Sequence, residues 1–279
     1  MRDGLPDSYG FLQLQDKILE IATYIDSFCE QNNIDYCLMG GSALGAKRHG
    51  GFIPWDDDLD IFMTLEEYGK FKAAMAADGN PKFILQEWRT VDKYLEYAKV
   101  RMNGTTFIEE SFKDRKDMHQ GIYVDIMMLH KVPDCKFVQK LVYYENKFVT
   151  LYALSQRNWK PKSGGQKMVL NLLKVLPCQL IAKLCYRRIY KYEDRKEGFK
   201  WCYWITPAKF RSGLFEPKFF ESPVDVPFED TFFYGSKYIK EYLEYRYGNY
   251  MKLPSEEQQK AAVHAMIFDT EKDYTEYIK

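Results

Sequence analysis

Four aspartates, Asp56, Asp57, Asp58 and Asp60, crowd one end of the stretch GGSALGAKRHGGFIPWDDDLDIFM, Gly40 to Met63. Their neighbours are Trp55, Ile61 and Phe62 rather than solvating residues. Two like charges ~4 Å apart repel by roughly 1 kcal/mol in water and about 4 kcal/mol at an effective dielectric near 20. Such a cluster calls for a compensating cation. Side chains alternate along an extended chain, so a strand over 57–62 puts Asp58 and Asp60 on one face and Leu59 and Ile61 on the buried one. Asp125, in YVDIMM, is a third acid inside an apolar strand. Carboxylates converging from two neighbouring strands are hard oxygen donors suited to Mg²⁺ or Mn²⁺. Three acids can hold two ions, which clamp the attacking and leaving oxygens in displacement at phosphorus. Asp58, Asp60 and Asp125 are therefore the candidate catalytic and metal-binding set.

Gly40, Gly41 and Ser42 read as a strand-to-turn element whose backbone N–H groups can approach a phosphate. Arg48 is a fork donor matched to phosphate, and His49 beside it is a candidate phosphate contact. Lys99 and Arg101 alternate with Val100, so both face one side of a strand, where they suit a nucleotide or developing charge. Each feature has a plainer reading: an acidic run as a solvated loop, Asp125 paired with a buried Lys or Arg, Lys99 and Arg101 as ion pairs across the sheet, Arg48 and His49 as loop residues.

The elements that must position these residues follow from periodicity. Leu14, Ile18, Ile21, Ala22, Ile25, Phe28 and Cys29 recur at helical spacing, predicting a helix over about 11–31. DYCLMGG and LDIFM read as strands. Thr64 with Glu67 predicts a capping box for the helix carrying Tyr68, Phe71 and Met75, with Gly79 just past its end. FILQEW, YLEYAKVRM, TTFIEE and GIYVDIMML read as further strands. Beyond residue 132 the pattern turns helical: Phe137, Leu141, Tyr144 and Phe148 share a face, Ser236 opens a helix that closes at Gly248, and Ser255 with Gln258 predicts another capping box. The fold expected is one domain over 1–279 of the α/β (α+β) class, with a mixed β-sheet core flanked by helices over 1–131 and a mostly helical extension over 132–279 that completes the site.

The whole chain narrows the function classes. Its 279 residues are 46% hydrophobic and 29% charged, ordinary for a globular protein, and its formal net charge of zero gives no global field for nucleic acid. Six cysteines lack C-x-x-C spacing, which argues against a zinc knuckle and for reduced thiols in a cytoplasmic protein without a secretory segment. No apolar run reaches spanning length.

Taken together, the Gly-Gly/Ser turn, the D-x-D strand and the later lone acid resemble the nucleotidyltransferase superfamily. The block from Gly40 to Met63 is more closely similar to the LicD family, and AKVRMNGTTFIE, GIYVDIMML and YLEYRYGNYMKLP resemble further blocks of that family in the same order. The resemblance covers roughly residues 12–130 and 228–268. It implies a nucleotidyltransferase-like core and transfer of phosphocholine from CDP-choline to a sugar hydroxyl on a teichoic acid or other surface-glycan precursor, lipid-linked or not. It assigns Gly41 and Ser42 to nucleotide phosphate, Asp58 and Asp60 to magnesium, and Asp125 to the metal site or the base. Because aromatic faces bind a quaternary ammonium, Trp55 is the first choline-cage candidate, with a core role as its alternative. Relatives that move ribitol phosphate keep open another alditol phosphate; nucleotidyl transfer, a non-catalytic nucleotide-binding role and a glycosyltransferase, which the glycine turn before the acids fits poorly, are the remaining alternatives.

One segment stands apart. Residues 160–192 carry Lys and Arg but no Asp or Glu, interleaved with Met168, Val169, Leu172, Leu173, Val175, Leu176, Leu180, Ile181 and Leu184. Two readings stay open: helices packed with a wet basic face, or a peripheral contact with the inner face of the cell membrane.

Overall fold

In the computed structural model, residues 7–87, 97–156, 161, 163–204 and 208–278 are described. They form a mixed α/β fold that divides into two compact units, residues 1–87, 98–127 and 218–279 in the first and 88–97 with 128–217 in the second.

The first unit opens with α1 (Leu12–Gln31), the helix the apolar spacing predicts; Leu14, Ile18, Ile21 and Ile25 are buried on one face. Strand β1 (Cys37–Leu38) leads into α2 (Gly40–His49), followed by β2 (Asp60–Thr64), α3 (Leu65–Asp78), β3 (Phe83–Glu87), β4 (Tyr97–Met102), β5 (Thr106–Glu109) and β6 (Tyr123–Pro133). The sheet order is β1-β2-β6-β4-β3. β1 pairs antiparallel with β2, Cys37 opposite Phe62, and β3 antiparallel with β4, Leu85 opposite Val100. Asp125 N donates to Leu59 O at 2.9 Å, which sets β6 beside the entry to β2.

α1 covers one face of this sheet. Ala22 and Ile25 line a small apolar cavity with Leu38, Leu59, Ile61 and Val124. With period-2 alternation, the same registers turn Asp60 and Asp125 to the opposite face. Burying several aliphatic side chains, each worth ~1.5–3 kcal/mol against exposure, is what fixes this register against a slip that would bury the acids under α1.

Local chemistry sets the element ends. Thr64 Oγ1 accepts from Glu67 N at 3.2 Å to start α3, and Gly79 ends it in the left-handed region at φ 64°. The expected reciprocal half of that box is diverted: Glu67 Oε2 accepts from Asp35 N at 3.0 Å instead. The box at Ser255 and Gln258 forms completely and opens a short helix, Glu256–Lys260. The helix expected from Ser236 spans Ile239–Tyr247 and closes at Gly248; Ser236 Oγ instead accepts from Tyr238 N just ahead of it.

The second unit continues β6. Its helices are α4 (Lys136–Ser155), α5 (Gly164–Val175) and α6 (Gln179–Ile189), and then β7 (Phe199–Cys202) and β8 (Leu214–Phe215) extend the sheet antiparallel from His130–Pro133. α5 and α6 press Leu173, Cys178 and Ala182 against Tyr152 of α4, with Phe148 and Leu151 alongside. Val132, Val142, Cys202, Trp204 and Leu214 form a second cluster.

The helical expectation beyond residue 132 thus holds for α4, α5, α6, Ile239–Tyr247 and Glu256–Lys260, and misses the strands among and after them. β7 and β8 are followed in the first unit by an antiparallel hairpin, β9 (Val224–Phe228) with β10 (Thr231–Gly235), and by β11 (Ala265–Asp269), which pairs with β5. These strands are two to five residues long, too short for a periodicity to register. Tyr94, Leu95 and Glu96 of the predicted strand YLEYAKVRM lie outside the described residues. All six cysteines are free thiols.

Candidate functional site

The acids gather in the first unit where β2, β6 and the loop before β2 meet. Asp60 begins β2, and its N–H donates to Ser42 Oγ at 2.8 Å. Asp58 lies two residues earlier in irregular chain rather than in the strand predicted over 57–62. Asp125 stands in β6, its backbone bonded to Leu59 between the two. Burial, and for Asp58 and Asp60 the neighbouring acids, raise these carboxyls above their ordinary range. Burial first, then Asp58, Asp125 and Asp56, drive the Asp60 carboxyl well above the usual range. Burial, with Asp57 and Asp125 adding to it and His264 and Lys99 opposing, pushes Asp58 up to about 6. Burial also raises Asp125, against the pull of Lys99. Asp60 Oδ1 is buried and makes no hydrogen bond among the described residues.

Lys99 occupies the plainer role. Its Nζ lies 2.8 Å from Asp125 Oδ1, 3.8 Å from Glu109 Oε1 and 3.3 Å from the Tyr123 ring centroid. Asp125 is therefore paired with a buried lysine, as the alternative reading held. Arg101 is also committed inside the fold: it is 1% exposed, Nε donates to Gln86 Oε1 at 2.6 Å and Nη1 to Gly121 O at 2.6 Å. The alternation with Val100 is as expected, yet the guanidinium fork ties β4 to β3 and to the chain before β6.

The glycines form the first turn of α2 rather than a free turn. Gly40 has φ 50°, a conformation that costs a residue with a Cβ, and its N–H donates to Tyr242 Oη at 3.0 Å. Asp56 Oδ2 sits 2.9 Å from where a Cβ on Gly41 would be, so that carboxylate closes against the start of the helix, where the positive end of the peptide dipoles favours it. Asp56 is raised well above the carboxylate norm by burial and by Asp58 and Asp57, with Arg48 opposing.

At the far end of α2, Arg48 Nη1 donates to Tyr250 O at 2.8 Å, and its guanidinium carbon lies 5.9 Å from the Trp55 centroid. His49 meets Trp55 edge-on at 5.8 Å, and Tyr9 meets it at 5.9 Å. Trp55 is buried at 8% exposure among these side chains. Arg48, His49 and Trp55 thus form a group of their own, linked to the acids through Asp56.

Several residues join the site without any signal in the sequence. Asp57 Oδ2 accepts from His264 N at 2.7 Å and Ala265 N at 2.6 Å, pinning the entry to β11. His264 Nε2 reaches Asp58 Oδ2 at 3.5 Å, and ligand atoms of Asp57, Asp58 and His264 lie within 4.8 Å of one another. Tyr247 Oη and Arg246 Nη2 are 3.6 and 3.8 Å from the Cβ position of Gly40, where Asp60 Oδ2 is 3.9 Å away. Only the resemblance of the YLEYRYGNYMKLP block could have directed attention to Arg246 and Tyr247; His264 is 206 positions from Asp58 with no spacing to betray it.

Residues 33–153 match the family described as LicD/FKTN/FKRP, nucleotidyltransferase domain. The chain carries a LicD family domain. It is also 26% identical to the Haemophilus influenzae lipopolysaccharide cholinephosphotransferase LicD over 245 residues, 87% of this chain and 91% of that protein. A 59-residue segment, 21% of this chain, is 42% identical to the human ribitol 5-phosphate transferase FKRP, covering 12% of that protein. A Rickettsia prowazekii protein is 29% identical over 118 residues, 42% of this chain and 41% of its own. The LicD match includes α2, β2 and β6, and so Asp58, Asp60 and Asp125 together.

Proposed function

We propose that this LicD-domain protein transfers phosphocholine from CDP-choline to a sugar hydroxyl of a surface-glycan precursor, with Mg²⁺ or Mn²⁺ held by Asp58, Asp60 and Asp125. The observation that carries the reading is that Asp60 and the buried Asp125 lie on the sheet face opposite α1, with the half-buried Asp58 just before β2, and that Asp125 helps to raise the carboxyls of both Asp58 and Asp60. Their oxygen donors and the unpartnered Asp60 Oδ1 fit a hard divalent cation. A cation bound there supplies positive charge against the donor's phosphates.

The chain's own residues account for the rest. The acceptor oxygen attacks the phosphorus that bears choline, the new O–P bond forms, the bond to the CMP phosphate breaks, and CMP leaves. Asp125 takes the acceptor's proton. Lys99, at 2.8 Å, favours the ionised form of Asp125 against the opposing effect of burial and acts as a positioning residue rather than a nucleotide ligand. The α2 start at Gly41 and Ser42 and the neighbouring Arg246 offer donors to phosphate. Arg101, held by Gln86 and Gly121, braces the strand that carries Lys99.

A second reading has its own support in the FKRP match: a different cargo, ribitol phosphate, on the same site. Product analysis decides. With CDP-choline labelled in the choline, Mg²⁺ and a glycan acceptor, the label should appear on the acceptor with free CMP. Transfer of the CMP moiety instead would overturn the assignment of the attacked phosphorus. A stabilising shift with CDP-ribitol and none with CDP-choline would move the reading to ribitol phosphate.

A further inference from the structure

The second unit carries an apolar surface that its own packing leaves uncovered. α5 and α6 are 12 and 11 residues long, about 18 and 16 Å, and bend by 104° across Leu176–Cys178. Each is shorter than the ~30 Å hydrocarbon core of a bilayer, and no single helix among the described residues is long and apolar enough to cross a membrane. Their inner face is satisfied by α4 through Leu173, Cys178 and Ala182. Their outer face is not: Met168 is 69% exposed, Leu172 57%, Val175 84% and Leu180 66%, with Ile181 and Leu184 continuing it. Residues 168, 172 and 175 fall on one side of α5, and 180 and 184 on one side of α6.

Charge says what covers this face. Lys167, Lys174, Lys183, Arg187, Arg188 and Lys191 are exposed around it, and no Asp or Glu occurs from 161 to 192 in a chain whose formal net charge is zero. Arg188 is partly engaged, its Nε 3.1 Å from Glu145 Oε1. The exposed side chains of Phe137 and Tyr144 form another uncovered stripe on α4, continuing at helical spacing to Phe148, which packs on the Leu173 cluster. Apolar side chains ringed by cations, on helices too short to span, match the boundary between anionic headgroups and acyl chains.

The geometry points to α5 and α6 as an in-plane anchor that seats the protein on an anionic bilayer: Met168, Leu172, Val175, Leu180 and Leu184 enter the acyl boundary, and Lys167, Lys183, Arg187 and Lys191 contact headgroup phosphates. The inference is independent of the transfer chemistry and survives its failure.

Flotation of the full chain with vesicles tests it. Vesicles of phosphatidylcholine with 30 mol% phosphatidylglycerol should carry the protein upward, and pure phosphatidylcholine should carry much less. Each cation removed should weaken partitioning about fivefold. The quadruple variant Lys167→Gln, Lys183→Gln, Arg187→Gln and Lys191→Gln should therefore lose more than a hundredfold. The variant Leu172→Ser, Val175→Ser, Leu180→Ser and Leu184→Ser should fail to float while keeping the wild-type melting curve, because these side chains are exposed. Absence of flotation with either vesicle, or unchanged flotation of the charge variant, would overturn the anchor. So would a concentration-dependent dimer that the serine variant disperses while the wild type ignores vesicles, since the face would then belong to a second copy.

Discussion

Lys99 Nζ lies 2.8 Å from Asp125 Oδ1 with the Tyr123 ring beneath the ammonium at 3.3 Å, so the one acid of the β6 strand in the cluster is held by a cation from β4. Both partners are buried, and burial makes breaking such a pair more costly than the pair itself is worth. Lys99→Met should therefore cost about 3 kcal/mol in urea unfolding, and the double variant with Asp125→Asn should recover much of it, because the orphaned carboxylate is gone. Equal costs for the single and double variants would show that the two residues do not act as a pair.

Repulsion at Asp60 gives a prediction of opposite sign. Its carboxyl is driven up by burial and three neighbouring acids, and Oδ1 has no hydrogen-bond partner among the described residues. Asp60→Asn removes that conflict at nearly constant volume. The metal-free protein should gain about 1 kcal/mol, a rise of roughly 2–4 °C in melting midpoint. The same variant should lose the stabilisation that Mg²⁺ gives the wild type. A fall in the metal-free midpoint would contradict the account of a site strained by its own charge.

His119 makes a pH-dependent contribution away from the site. Its Nδ1 accepts from Gly121 N at 3.0 Å, which requires the neutral ring, while Nε2 faces Asn103 Oδ1 at 2.9 Å. Burial first, then Arg101, lower its pKa to about 4. A folded pKa below the unfolded value of about 6.5 means the unfolded chain binds more protons between the two, so stability is complete above pH 6.5 and is lost as pH falls toward 4. Discounted for partial exposure, the loss should be about 1 kcal/mol. Comparing denaturation curves at pH 7 and 4.5 with those of His119→Asn, in which this increment is absent, isolates it; identical pH dependence in both would refute it.

Much of the fold was legible because its signals are local. The 3.6-residue spacing of α1, the Thr64 and Ser255 caps and the alternation that separates Asp60 from Ile61 each depend on neighbours within a few positions. The same alternation, read strictly, over-extended β2 back to Asp57, whose side chain instead bonds the amides of His264 and Ala265. Gly40 and Gly41 read as a turn because glycine is a poor helix former; burial of Ser42, Ala43, Leu44 and Ala46 overrides that propensity and makes them a helical first turn. Tyr242, Arg246, Tyr247 and His264 reach the acids by chain return, which leaves no local pattern. Lys99 and Arg101 were correctly placed on one strand face, yet which cation pairs and which braces depends on Tyr123, Gln86 and Gly121, contacts no spacing reveals.

If Asp58, Asp60 and Asp125 jointly hold the divalent cation through which the protein engages a CDP-linked donor, donor binding depends on both the ion and the acids. Isothermal titration of CDP-choline into the wild type with Mg²⁺, into the wild type with EDTA, and into Asp60→Asn with Mg²⁺ measures that dependence. Binding should be clear in the first and at least about tenfold weaker in the other two, a difference of ~1.4 kcal/mol. Equal affinity in all three would contradict the account.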